Sequence, residues 1–585
     1  MEAQTKNCQN CKQDFIIESE DFNFYEKIKV PTPTFCPDCR LQRRMSWRNE
    51  RSLHKMKCCV PGHNEDIITM YDPEKPYIVY DNKYWWSDEW DPCDYGAEYD
   101  FSKSFFIQFS DLSHKVPQAA LSTLNSINSE YTNYVDGNKN CYLIFGSGWN
   151  ENIRYGNKLF SCKDSQDLLN CTKCELSYEC ESCAESHRLF YSRNSKNCTD
   201  SYLLYNCRNC MNCFGCSNLV SKSYCIWNKQ YEKQGYFDEL ERLGIKSYKN
   251  LISLKEKFIN EVYLSSIHRY ANILNSTDCT GNNIIHSKNC KNCYDIWQNA
   301  EDSKYLYASL DIKDSYDGIG VFKNELSYEN VDCNIGSKNF ATIVVYDSNN
   351  IEYSINCHNC KYCFGCTGIR NKQYCILNKQ YTKEEYIELL PKIKEHMGLL
   401  PYIDKVGRVY KYGEFFPVDL SCFGYNETIA QEYFPLTFDE NLKFGFTWKK
   451  NIERNYKIDI KATDLPDSIN DINLLLNKTI ECEHFQDKTH DCDCEFACTE
   501  AYKITEEDIS FHNRLKIPLP RMCPNCRHYS RLKQRTPLKL WHRTCMCDKE
   551  NHEHIGVCTN EFETSYSPER PEIIYCEKCY QAEVM

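Results

Sequence analysis

Residues 171–216 read CTKCELSYECESCAESHRLFYSRNSKNCTDSYLLYNCRNCMNCFGC, and the placement of their cysteines decides the fold. All twelve cysteines from Cys141 to Cys225 lie at multiples of three residues from one another. Every third residue from Asn138 to Leu219 gives 28 uncharged positions, eleven of them Cys and seven Ser. The two other frames carry nine and eight charged residues. A helix needs an apolar period of 3.6 and a strand a period of two. A period of three fits a chain that turns after each inward side chain, around an interior too tight for Leu or Phe at every step.

A spacing of twelve is superimposed, through Cys141, Ile153, Ser165, Ser177, Leu189, Ser201, Cys213 and Cys225. The third frame holds nine Asn, a residue that tolerates left-handed backbone and marks corners. The expected class is mainly β: a narrow β-solenoid of twelve residues per coil, with a meander of short antiparallel strands as the alternative. The pattern resembles the twelve-residue β-helix of beetle antifreeze proteins but lacks their Thr-x-Thr array, so ice binding does not carry over. The unit is expected to be duplicated, because ELSYE recurs at 175–179 and 325–329 and residues 206–231 match 356–381, both at an offset of 150. Each copy ends in a helical pattern suited to capping it, the second opening on a capping-box-like Thr382 and Glu385.

Both ends carry paired cysteines at metal-ligand spacing. Cys8, Cys11, Cys36 and Cys39 form two C-x2-C knuckles able to close a tetrahedral zinc site. The order of knuckle, hairpin and helix resembles a treble-clef finger. Residues 24–40 align with 511–527 at an offset of 487, placing a second site at Cys498, Cys523 and Cys526 with Cys494, or Cys492 in its stead. A third follows at Cys558, Cys576 and Cys579 with Cys545 or Cys547. At the amino end its counterpart is lost: Asp81, Tyr84 and His63 stand where Cys576, Cys579 and Cys558 do, at an offset of 495. About three structural zinc ions are therefore expected.

Five modules follow: a zinc domain (1–90), two cysteine-rich copies with capping helices (117–262 and 270–398), a small α+β linker (400–480) and a double zinc domain (481–585). The net charge of −13 argues against a general nucleic-acid coat. Two basic runs nevertheless follow zinc knuckles, Arg40, Arg43, Arg44, Arg48 and Arg51 at one end and Arg527, Arg531, Lys533 and Arg535 at the other. They are candidates for phosphate contact with RNA or a ribosome, or for docking onto the acidic solenoid. Two outward aromatic rows, Tyr142, Tyr178, Phe190, Tyr202 and Phe214, then Tyr316, Tyr328, Phe340 and Phe364, suggest either a protein-binding face or packing of the copies against each other. No phosphate loop, G-x-S-x-G or H-E-x-x-H occurs, so no catalytic residue is assigned and an enzyme is unsupported. The evenly spaced Cys207, Cys210, Cys213 and Cys216 lack the Pro of iron–sulfur runs, which disfavours a cluster. With no signal-type apolar run, the expected compartment is the cytoplasm, where thiols stay reduced.

RMCPNCRHYSRLKQR, YNETIAQEYFPL and SYSPERPEIIYCEKCY, from the carboxy-terminal part of the chain, resemble uncharacterised cysteine-rich proteins of candidate-phylum bacteria. The resemblance covers about half the chain, mainly 8–86 and 400–585. It implies a zinc-bearing architecture and no established activity. The leading expectation is a zinc-stabilised cytosolic scaffold for a macromolecular partner, with RNA association or metal and redox handling as alternatives, and with neither a membrane nor a small-molecule substrate.

Overall fold

The computed structural model describes residues 2–450, 457–469, 475–486 and 497–584. Two large sheets carry most of the strands. In the first, strands from Asn133–Asp136 to Ser223–Ile226 follow chain order, each parallel to the next. Arg154, Gln166, Tyr178, Phe190, Tyr202, Phe214 and Ile226 consequently stand in one row.

The uncharged frame lines the interior, where Cys171, Cys180, Cys198, Cys207, Cys213 and Cys216 are fully buried. Backbone polar groups so enclosed need partners, and this need explains the choice of Cys and Ser. The Cys180 thiol donates to the Leu189 carbonyl (3.2 Å) and the Cys174 thiol to that of Cys183 (3.4 Å). The Ser165 and Ser186 hydroxyls accept from the backbone N–H groups of Ser177 and Cys198. Between inward residues the backbone turns left-handed at every third position, as at Asn194, Asn197, Asp200, Leu203, Asn206, Asn209 and Asn212. Asn and Asp adopt that conformation readily; Leu203 does so at a cost of roughly 1–2 kcal/mol.

The expected class, a mainly β duplicated solenoid of twelve residues per coil, is corrected. The chain is mixed α/β, and both large sheets are open: among the described residues the first strand of each does not pair with its last. Nor does the second sheet keep a strict repeat. Its register places Ile273 opposite Ile284, Ile284 opposite Ile296 and Tyr294 opposite Tyr307, so the step varies, with a shift between Ile296 and Gln298. Its strands lengthen to the 13 residues of Phe340–Glu352, against four in Arg154–Asn157 of the first sheet. The cause lies in composition. Ile296, Ile312, Val321, Val345 and Ile351 join the cysteines of this core, and β-branched side chains favour extended strands.

The chain divides into two units, each discontinuous in sequence. Unit 1 comprises Met1–Thr123, Ala271–Lys449 and Leu538–Leu540; unit 2 comprises Leu124–Tyr270, Lys450–Pro537 and Trp541–Met585. The amino-terminal segment thus belongs with the second sheet and the carboxy-terminal segment with the first, while residues 400–480 are shared between units. The aromatic rows are covered within their own units. Phe24 of helix Ser19–Ile28 stacks on Tyr316 at 3.8 Å, and Phe511 and His512 of helix Glu506–Leu515 lie against Tyr178. Helix Lys383–Leu399 begins on a capping box of Thr382 and Glu385.

Candidate metal centres

At each end a hairpin and an intervening helix, Ser19–Ile28 or Glu506–Leu515, lead to a second helix whose N-cap is a cysteine. Helices Pro37–Met45 and Pro524–Leu532 both open with Cys-Pro-x-Cys, placing Cys36 or Cys523 at the N-cap and Cys39 or Cys526 in the first turn. Pro suits that first position because no N–H is needed there. The unsatisfied amides of a helix start favour thiolate.

Among the described residues, four groups of thiols and imidazoles come together near the two ends of the chain, the ligand atoms of each within 4.8 Å of one another. The first is Cys8, Cys11, Cys36 and Cys39. The second is Cys482, Cys498, Cys523 and Cys526. Cys492 and Cys494, the residues expected to complete it, lie outside the described residues. Cys482 takes the place of Cys8: its N–H donates to the Glu500 carbonyl (2.8 Å) as that of Cys8 does to Gln13 (2.9 Å). Its sulfur accepts from the Cys523 N–H (3.2 Å) as that of Cys8 does from Cys36 (3.2 Å). The lengthened hairpin between Cys482 and Cys498 hid it from a search by spacing. A Cys ending a strand one hairpin before the knuckle was the available signal.

The third group is Cys545, Cys558, Cys576 and Cys579, and the fourth is Cys547, His552, His554 and Cys579. Both cysteines offered as alternatives are therefore used, one in each group. His552 and His554 were not anticipated.

Each all-cysteine group holds at least one acidified thiol. Hydrogen bonds from Cys36 and Cys39 hold Cys8 far below the usual thiol value, and those from Cys482, Cys498 and Cys526 do the same for Cys523. At Cys576 burial acts upward, but the Cys579 backbone N–H, Asn560 and the neighbouring thiols outweigh it and bring the group to about 7. Thiolate is the form that binds metal. Four sulfur donors suit the tetrahedral preference of zinc, and sets of this kind leave no coordination position open.

Most of the basic candidates are turned inward onto carboxylates. Arg40, Arg43, Arg44, Arg48, Arg527 and Arg531 are buried. Arg40 and Arg44 bind Asp317 at 3.0 and 2.9 Å, Arg43 and Arg44 bind Glu329 at 2.6 and 3.1 Å, and Arg48 binds Asp332 at 3.1 Å. Arg527 and Arg531 bind Asp167 at 3.0 and 2.9 Å, and Arg535 binds Glu181 at 3.3 Å. Burial works against the charge of Asp167, yet Arg527 and Arg531 hold its carboxyl below the ordinary value. Lys533 is exposed and Arg51 half-buried. His268 and His358 are buried and held neutral, at about 4 and about 3, by desolvation first. No helix among the described residues is long and apolar enough to cross a membrane.

No family model matches this chain, and no curated protein matches it. Among solved structures it has a likeness to a suggested acetyltransferase from Desulfovibrio desulfuricans G20, with 9% identity over 40% of this chain and 63% of that one. The TM-score is 0.10, so the likeness carries no argument.

Proposed function

We propose that the protein is a zinc-stabilised cytosolic scaffold. In this reading metal ions lock the terminal knuckles, the knuckle helices dock onto the two sheets through buried arginines, and the remaining sheet surface receives a macromolecular partner. The observation that carries it is the closed donor set: three groups of four cysteines each supply every ligand of a tetrahedral ion from the protein itself. An ion held so is structural, contributing on the order of 10 kcal/mol to folding. A hairpin and a Cys-Pro-x-Cys helix start that share one cysteine group at both ends support the likeness to cysteine-rich bacterial proteins, while helices Ser19–Ile28 and Glu506–Leu515 stand where a treble clef has its hairpin. Unpaired thiols throughout the described residues support a reducing compartment.

Of the two readings of the arginines, contact with RNA or docking, the carboxylates that they face favour docking, and the interior thiols donate to main-chain carbonyls, so packing accounts for them better than cluster ligation or redox exchange. A partner surface is supported by Ile127 and Trp149 at the start of the first sheet, which are 60% and 61% exposed. Metal analysis of anaerobically purified protein tests the reading. Zinc in at least three equivalents with negligible iron is expected; stoichiometric iron with visible absorbance, or no bound metal, would overturn it.

A further inference from the structure

We propose that the carboxy-terminal hairpin holds two zinc-class ions bridged by the Cys579 thiolate, the second bound by Cys547, His552 and His554. The inference rests on the zinc reading above and extends it to a site that the cysteine spacing does not contain.

The two ends of the chain supply the first argument. Strands His54–Lys57 and Asp66–Thr69 pair with His54 opposite Thr69, and Trp541–Thr544 and Glu561–Thr564 pair with Trp541 opposite Thr564. The offset between these hairpins is 487 at Cys58 and Cys545 but 495 at His63 and Cys558, so the second loop is longer by eight residues. The added segment is the one that carries His552 and His554.

Both rings are arranged as ligands. His552 Nδ1 lies 3.0 Å from the Cys547 sulfur, while its Nε2 meets the Glu583 carboxylate at 3.0 Å. A carboxylate on the far nitrogen is the usual support for a metal-bound imidazole. His554 Nδ1 is bonded to the Gly556 carbonyl at 2.8 Å, which leaves Nε2 as the lone-pair nitrogen. That nitrogen is buried without a hydrogen-bond partner, a costly state that a metal ion relieves. Cys579 belongs to both groups, and Cys545 and Cys547 divide between them. Sharing also moderates charge: five thiolates and two divalent ions sum to −1, where an isolated four-thiolate site carries −2.

Native mass spectrometry of the full chain, expressed with zinc, should count four ions, and the H552Q/H554Q variant three. After exchange with 113Cd, two resonances should split each other through the shared sulfur, and the histidine variant should lose one resonance and the splitting. Glu583→Gln, which keeps both rings, should weaken one ion about ten- to a hundredfold in chelator competition. Three ions in the wild type, unchanged in the histidine variant, would overturn the second site and leave the all-thiol sites standing. Four ions without splitting would overturn the bridge. Fewer than three would overturn the zinc reading itself.

Discussion

In unit 1, helix Pro37–Met45 turns Arg40 and Arg44 onto Asp317; in unit 2, helix Pro524–Leu532 turns Arg527 and Arg531 onto Asp167. Asp317 and Asp167 are separated by the same offset of 150 that relates the two sheets, and the arginines by the 487 that relates the knuckles. An aromatic ring accompanies each dock, Tyr305 beneath Arg40 at 5.3 Å and Tyr155 beneath Arg527 at 4.7 Å. The neighbouring hairpins differ. Where unit 2 brings Cys558 and Cys579 together, unit 1 packs the rings of His63 and Tyr84 at 4.5 Å. The buried arginine dock is common to both units, whereas the second hairpin is built once on sulfur ligands and once on ring packing. The dock is the shared framework; the second cysteine hairpin is found at one end alone.

The largest effect should come from stripping the metal. Chelation is expected to remove on the order of 10 kcal/mol per closed site, and limited proteolysis should then cut both knuckles, with the hairpin at 58–65 resisting longer than that at 545–560. Equal cutting of the two would erase the proposed asymmetry.

Asp167→Ala removes the carboxylate shared by Arg527 and Arg531, and Asp317→Ala removes that of Arg40 while Arg44 keeps Glu329; each should destabilise its unit by about 3–5 kcal/mol. Urea unfolding followed by hydrogen exchange would locate each loss. A cost under 1 kcal/mol in either unit would show that its dock is not the framework.

A smaller effect separates the units by pH. His268 donates from Nε2 to the Tyr263 carbonyl, so its Nδ1 accepts from the Tyr205 hydroxyl. Its pKa is depressed to about 4 in the fold, against an ordinary value of about 6.5. Its contribution is therefore complete above pH 6.5 and lost as pH falls toward 4, about 3 kcal/mol in all. Unit 1 carries Gln118 at the position related by 150, so H268Q should flatten the acid limb of unit 2 over that window. An unchanged limb would place the titration elsewhere.

The least change in stability is expected from rebuilding the lost site. D81C/Y84C would set two thiols beside Cys58 and His63, and mass spectrometry should count one more zinc. An unchanged count would mean that the packing of unit 1 has closed the site for good.

Much of this was legible in the chain. The inward line of Cys and Ser was readable because a charge inside so narrow a core would be prohibitive, which leaves a clean frame in the sequence. The knuckles Cys36-x2-Cys39 and Cys523-x2-Cys526 were readable because ligand geometry fixes their spacing. The open sheets and the uneven register of the second were not, since Ile296 and Val345 alter strand length through packing that no local pattern records. Cys482 and His554 escaped for another reason: loops of variable length bring them to their sites, and loop length is nearly free thermodynamically. The basic runs left two readings open because an arginine reads alike whether it faces phosphate or a buried Asp167.

The discontinuous make-up of the units bears on how the chain is born. Residues 1–123 find their sheet only once its strands, as far as Lys379–Gln380, have been made, an interval on the order of tens of seconds at ~5–20 residues per second. Through that interval the nascent segment carries Phe22, Phe24 and Tyr25 with nothing yet to cover them, and the first sheet in turn waits for the last hundred residues to emerge. Ribosome-bound chaperones, or a slow pause before release, are the natural guardians of such a polypeptide.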